Sequence, residues 1–279
     1  MKFNLTFTQE QIKPAKQKAL TSIATNLTLK GFRKGKAPID LVEQSVDQEK
    51  LLEETISHLI PESYTTYINE HDLKPITQPK ISLSKMVNDG DWEFEIEIAE
   101  KPEVKLNKYL DAIKGEKAKD TIWTPEKGAS EVGDKEHPHD HENEDKKLTL
   151  IFDTLLKTCE VEIPELLIEE EANRALSRLV EQVNKLGLKI EQYLDSIGKK
   201  PEEIRDEYKK TSTDNLRLEF ILDAIAKDQK VDATDADIEE FLKNVDTTVA
   251  EEVKKRPMEM ASLKYSIIKH KVVDLLLAA

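Results

Sequence analysis

The chain has 279 residues, 35 % of them charged, with a net charge of −14 and only 8 glycines. That length suffices for two domains with separate cores, and the composition favours long solvated helices over a turn-rich sandwich or barrel. No run approaches the roughly 20 apolar residues of a membrane helix, and the first residues hold no unbroken apolar stretch, so the expectation is a chain neither exported nor membrane-spanning. The single cysteine, Cys159, excludes an internal disulfide framework and is expected as a core thiol in a reducing cytoplasm.

Phe3, Leu5 and Phe7 alternate with polar neighbours, the period of a half-buried strand. Thr8 and Gln11 have capping-box spacing, and Ile12, Ala15, Ala19, Ile23 and Leu27 predict a helix, with Pro14 tolerated near its first turn. A loop follows from Gly31 to Pro38, then a short helix through Val46 and a longer one from about Glu49 to His71, which Pro61 should kink. Lys80–Met86 and Asp91–Ala99 read as two strands, the second alternating Trp92, Phe94, Ile96 and Ile98 with glutamates. Asn88-Asp89-Gly90 is a hairpin signal between them. Residues 1–115 are therefore expected as an α+β domain with an antiparallel sheet.

From 116 to 145 the apolar pattern fails and Gly, Pro and charge crowd in, which predicts a flexible linker. Residues 146–279 read as an elongated, open all-α domain. Leu148, Phe152, Leu155 and Cys159 recur at helical spacing; after the break at Val161–Pro164 so do Ile168, Ala172, Leu176, Leu179, Val183 and Leu186, up to a stop at Gly187. Pro201 opens a further helix, and two more are expected at about 234–245, capped by Asp232 or Thr234, and 257–277.

Residues 1–38 hold eight basic side chains against one acid, or +7, which leaves −21 on the remainder. Only this basic segment could face an anionic surface. Within it, Gly31 and Gly35 permit unusual backbone conformations, Pro38 stiffens the exit, and Arg33, Lys34 and Lys36 cluster beside Phe32. A phosphate-binding P-loop needs four residues between its glycines and Ser or Thr after its lysine. Here there are three residues, and Ala37 follows Lys36, so nucleotide binding is unsupported. By composition alone an ordinary basic turn is as good a reading as a docking element.

Gly31-Phe32-Arg33-Lys34-Gly35-Lys36-Ala37-Pro38 resembles the ribosome-docking signature of bacterial trigger factors. The flanks, Pro38-Ile39-Asp40-Leu41-Val42 and the segment from Ile96 to Val104, are similar to that family's N-terminal domain, and Val161–Ile168 resembles the entry to its helical arms. The resemblance implies a chaperone without ATP or any other cofactor, docked on protein and RNA of the large ribosomal subunit near the exit tunnel, with nascent or unfolded polypeptides as clients. It leaves open a weak homodimer and implies a cytoplasmic location. Family members commonly carry an FKBP-type prolyl-isomerase domain between these halves; here only the 116–145 segment stands there, so no enzyme activity is expected. Candidate client contacts are apolar residues beyond a single buried stripe: Leu166, Leu167, Val180, Leu188, Phe220, Ile221, Met258, Met260, Leu275 and Leu276.

Two other features carry less. His137, His139 and His141 alternate, but no cysteine or second cluster completes a metal shell, so no metal is assigned. Acid groups such as Glu169–Glu171, or Asp235 with Asp237, lack a nucleophile and read as solvated helix faces. The rival reading is an RNA-binding assembly adaptor in which the basic segment holds RNA and the acidic helices hold protein.

Overall fold

The computed structural model describes residues 1–29, 31–86, 90–120, 139–243 and 253–279, which divide into two compact units at Lys101 and Pro102. The first unit opens with β1 (Lys2–Phe7), α1 (Gln9–Asn26), α2 (Ile39–Ser45) and α3 (Gln48–Glu70). It closes with β2 (Lys80–Met86) and β3 (Trp92–Glu97), and the antiparallel sheet has the order β1-β3-β2. This is the expected α+β arrangement, although Asn88 and Asp89 of the predicted turn lie outside the described residues.

Alternation in β3 sorts the sheet's two faces. Phe94, Ile96 and Ile98 are fully buried under the helices, each side chain contributing about 1.5–3 kcal/mol by burial. On the opposite face Lys2 of β1 pairs with Glu95 at 3.0 Å. Phe7 meets Phe94 edge to face, and Phe3 stacks on Tyr67 of α3 at 3.9 Å. α1 buries Ile12 and Ala15 against the sheet core and Ala19, Leu20, Ile23 and Ala24 against α2 and α3. The Gln11 side chain accepts from the Thr8 backbone N–H at 3.0 Å, as the capping spacing predicts. Pro61 does not interrupt α3: it is exposed, and so is Ser57, whose carbonyl it leaves without an N–H, so water can take the freed acceptor.

The second unit contains β4 (Val104–Lys105), α4 (Tyr109–Asp120), α5 (His139–Thr158), β5 (Glu160–Val161) and α6 (Glu165–Lys185). Further along, its described helices include α7 (Ile190–Ile197), α8 (Pro201–Asp228), α9 (Asp235–Lys243) and α10 (Pro257–Ala278). Tyr109 and Ile113 of α4 join Ile151, Leu155 and Cys159 of α5, Ile221 and Ile225 of α8, and Val272 and Leu276 of α10 in one core. The division therefore falls well before 115, and 116–120 and 139–145 are helical where composition alone suggested linker. The reason is tertiary: α4 is lysine-rich with few apolar residues, and these find their partners on α5, α8 and α10.

Specific polar contacts hold α4 there. Tyr109 donates to Asp228 at 3.1 Å and accepts from Gln229 at 2.9 Å. Lys117 Nζ donates to the Leu276 and Leu277 carbonyls, both at 2.8 Å, satisfying acceptors at the end of α10. Burial pushes the Tyr109 phenol up to about 12, the Asp228 carboxylate reinforcing it. The unit also departs from all-α by one detail: Val104 pairs with Val161 and Lys105 with Glu160, a short ribbon at the break expected before α6. Gly187 ends α6 with φ 77, as its position predicted.

Candidate docking loop and apolar surface

The loop is held at both roots and free at its centre. Leu27, Leu29 and Ala37 pack against the cluster of Ala19, Leu20, Ile23, Val42 and Leu51, while Phe32, Arg33, Lys34 and Lys36 are exposed. Internal hydrogen bonds shape the excursion: Phe32 N–H to Leu29 O at 3.0 Å, Gly35 N–H to Leu27 O at 3.3 Å, and Lys36 N–H to Arg33 O at 2.9 Å. Both glycines adopt left-handed backbone, φ 89 at Gly31 and φ 77 at Gly35, where a side chain is strained. Gly35 is required twice over, since a Cβ there would lie 3.2 Å from the Thr25 carbonyl oxygen. Pro38 stands immediately before α2 and fixes the exit.

The result is a pre-shaped tip bearing one aromatic ring, 39 % exposed, and three cations that make no ion pair among the described residues. Such a tip can place a guanidinium fork and two ammonium groups on an acidic or phosphate-bearing surface while Phe32 fills a pocket. All eight positions expected from the sequence, Gly31 to Pro38, fall in this one excursion.

The apolar candidates of the helical unit separate sharply. Leu166, Leu167, Ile221 and Leu276 are buried, so these four are corrected to core. Phe220, Met260 and Leu275 are half-buried. Val180, Leu188 and Met258 are exposed, Met258 by 87 %. The structure adds Leu186, 77 % exposed although it keeps the rhythm of α6, and Ile197 and Phe241. Leu186 and Ile197 each precede a left-handed glycine, Gly187 and Gly198, where the helix stops and its buried stripe runs out; that neighbour was the available signal.

Cys159 donates to the Leu106 carbonyl at 3.4 Å, and burial pushes its thiol up to about 11 against the opposing effect of Arg217, as suits a core group. Among the described residues no group of three His, Cys, Asp or Glu side chains could hold a metal. His137 and the side chains of His139 and His141 lie outside them. No described helix is long and apolar enough to cross a membrane.

Comparison with known proteins follows the same division. The family described as "Bacterial trigger factor protein (TF)" matches residues 1–129, and "Bacterial trigger factor protein (TF) C-terminus" matches 135–278. Only residues 130–134 separate the two matches, so no stretch of domain size stands between them. Trigger factor of Streptococcus mutans is 38 % identical over 104 residues, 37 % of this chain and 24 % of that one. Trigger factor of Streptococcus uberis is 39 % identical over 119 residues, 42 % of this chain and 28 % of that one. The chain thus matches about a quarter of these relatives' length. Trigger factor of Carboxydothermus hydrogenoformans is 24 % identical over 401 residues, taking in 96 % of this chain and 93 % of that one. A solved structure described as "Promiscuous Substrate Recognition in Folding and Assembly Activities of the Trigger Factor Chaperone" has the same fold, with a TM-score of 0.61 at 16 % identity over 99 % of this chain and 96 % of that one. The C-terminal match alone takes in more than half of the sequence, and on that ground the chain belongs to the bacterial trigger factor family.

Proposed function

We propose that the chain is an ATP-independent chaperone that docks through its 31–38 loop on the large ribosomal subunit and shields apolar segments of emerging polypeptides with its helical unit. The observation that carries this reading is the loop itself: two left-handed glycines and an anchored Ala37 hold Phe32, Arg33, Lys34 and Lys36 out from the fold. Docking raises the local concentration of client-binding surface at the tunnel exit, so weak apolar contacts suffice and clients leave without ATP. Val180, Leu186, Leu188, Ile197 and Met258 supply those contacts. The working place is the cytoplasm, where ribosomes are.

Co-sedimentation with large subunits tests the docking. A variant with Phe32→Ala, Arg33→Ala and Lys34→Ala should lose at least tenfold in affinity. Indifference to the triple substitution, or equal binding to naked RNA, would support an RNA-binding adaptor instead. The isomerase domain's place holds no domain-sized segment, so a prolyl-peptide assay should show no rate enhancement; an enhancement removed by mutation in this chain would overturn that part.

A further inference from the structure

β2 is an edge strand in which all seven residues are exposed. Its apolar side chains are not turned to the polar face. Ile81 is registered with Ile96, Leu83 with Phe94 and Met86 with Trp92, so all three share the face that the helices cover over β1 and β3. The cover ends before β2: Ile96 and Phe94 are fully buried, while Ile81, Leu83 and Met86 are 40, 38 and 50 % exposed. Met86 also lines a groove of about 570 Å³ with Ile12, Leu51, Leu52 and Trp92 beside Lys13, Lys16 and Glu49, so the stripe runs on into a concave site of mixed apolar and charged lining.

We infer that β2 and this groove bind an extended, acidic and apolar polypeptide segment, which adds to the sheet as a strand beyond β2. Strand addition supplies main-chain hydrogen bonds along the free edge, and alternate side chains read the partner. β3 already shows what β2 accepts in antiparallel register. It sets Ile96, Phe94 and Trp92 against the apolar side chains, and Glu97, Glu95 and Glu93 against Lys80, Ser82 and Lys85. A partner on the other edge meets Lys85, and at the groove Lys13 and Lys16 outnumber Glu49, so acid is favoured there. A second copy of β2 fits less well, because the strand carries Lys80 and Lys85 and no acid, so the lysine–glutamate complementarity that β3 supplies is lost. The register slip between Leu83 and Lys85 limits regular pairing to Lys80–Leu83, after which the groove takes a further apolar side chain.

This inference rests on the polypeptide-binding reading above but not on ribosome docking, which the loop variant tests separately. The experiment titrates the full chain into a fluorescein-labelled heptapeptide with the sequence of residues 92–98, read by anisotropy. The double variant Ile81→Asp with Leu83→Asp should bind at least tenfold more weakly, and a peptide with lysine in place of each glutamate at least fivefold more weakly at low salt. Unchanged affinity in the double variant would overturn the site, and equal affinity for the lysine peptide would overturn its charge selectivity. Two further peptides, one N-methylated at the glutamates and one at the apolar residues, test the backbone on the unmutated chain. Loss confined to one of the two supports strand addition, and an equal effect on both overturns it. A chain that ignores the peptide yet sediments as a dimer sensitive to the double substitution would assign the edge to a second copy instead.

Discussion

Gly31 and Gly35 differ in a way that composition hides. Both have positive φ, but a Cβ at Gly31 meets nothing within 4 Å, whereas one at Gly35 would press on the Thr25 carbonyl at 3.2 Å. Gly31→Ala should therefore cost about 1 kcal/mol of backbone strain, and Gly35→Ala more than that, on the order of 2 kcal/mol, because α1 must shift as well. Urea unfolding of the two variants measures the difference, and equal stabilities would show that Thr25 moves freely. The sequence revealed which residues form the loop, since Gly, Pro and clustered cations are local signals. It did not reveal that Ala37 is an anchor, because that depends on Leu20, Ile23 and Val42 arriving from other elements.

Some helix ends were legible because their chemistry is local, although α7 with its stop at Gly198 was not read. Thr234 was one of two expected caps for α9, and its hydroxyl accepts from the Asp237 N–H at 3.3 Å, while Asp237 Oδ2 accepts from the Thr234 N–H at 2.7 Å and from Lys271 of α10 at 2.8 Å. The Lys271 ammonium, then the Thr234 hydroxyl and N–H, hold the Asp237 carboxyl down to about 2. A carboxyl depressed on folding adds stability that is fully present above its unfolded value, near 4, and is lost as pH falls through about 2. Thermal unfolding between pH 5 and pH 2 should show this loss, and Asp237→Asn should flatten that part of the profile; an unaltered profile would mean that the contact opens in solution. Helix α4 was missed for the opposite reason. Its ends carry no cap signal and its apolar residues are few, so its existence depends on Asp228, Gln229 and the α10 carbonyls to which it is tied.

Across the whole molecule the charge distribution limits what docking can be. The chain is −14 overall, and the loop exposes three cations. If the proposed ribosome docking neutralises at most three phosphates, the logarithm of affinity should fall with the logarithm of salt at a slope of about 2 to 3. Sedimentation across a salt series measures it. A slope twice as steep would mean that more of the basic segment lies on RNA, as the adaptor reading requires.

By itself the sequence determined the α+β and helical halves, most helix and strand bounds, the loop and the family, because hydrophobic period, glycine and proline placement and a contiguous motif are all written along the chain. Tertiary structure alone decided where the first unit ends, that Leu166, Leu167, Ile221 and Leu276 are core while Leu186 is exposed, and that an apolar edge strand extends past its helical cover. Burial is a property of what arrives from elsewhere in the chain. A leucine in helical rhythm is inside only if another element lies over it, and periodicity reports the face without reporting the neighbour.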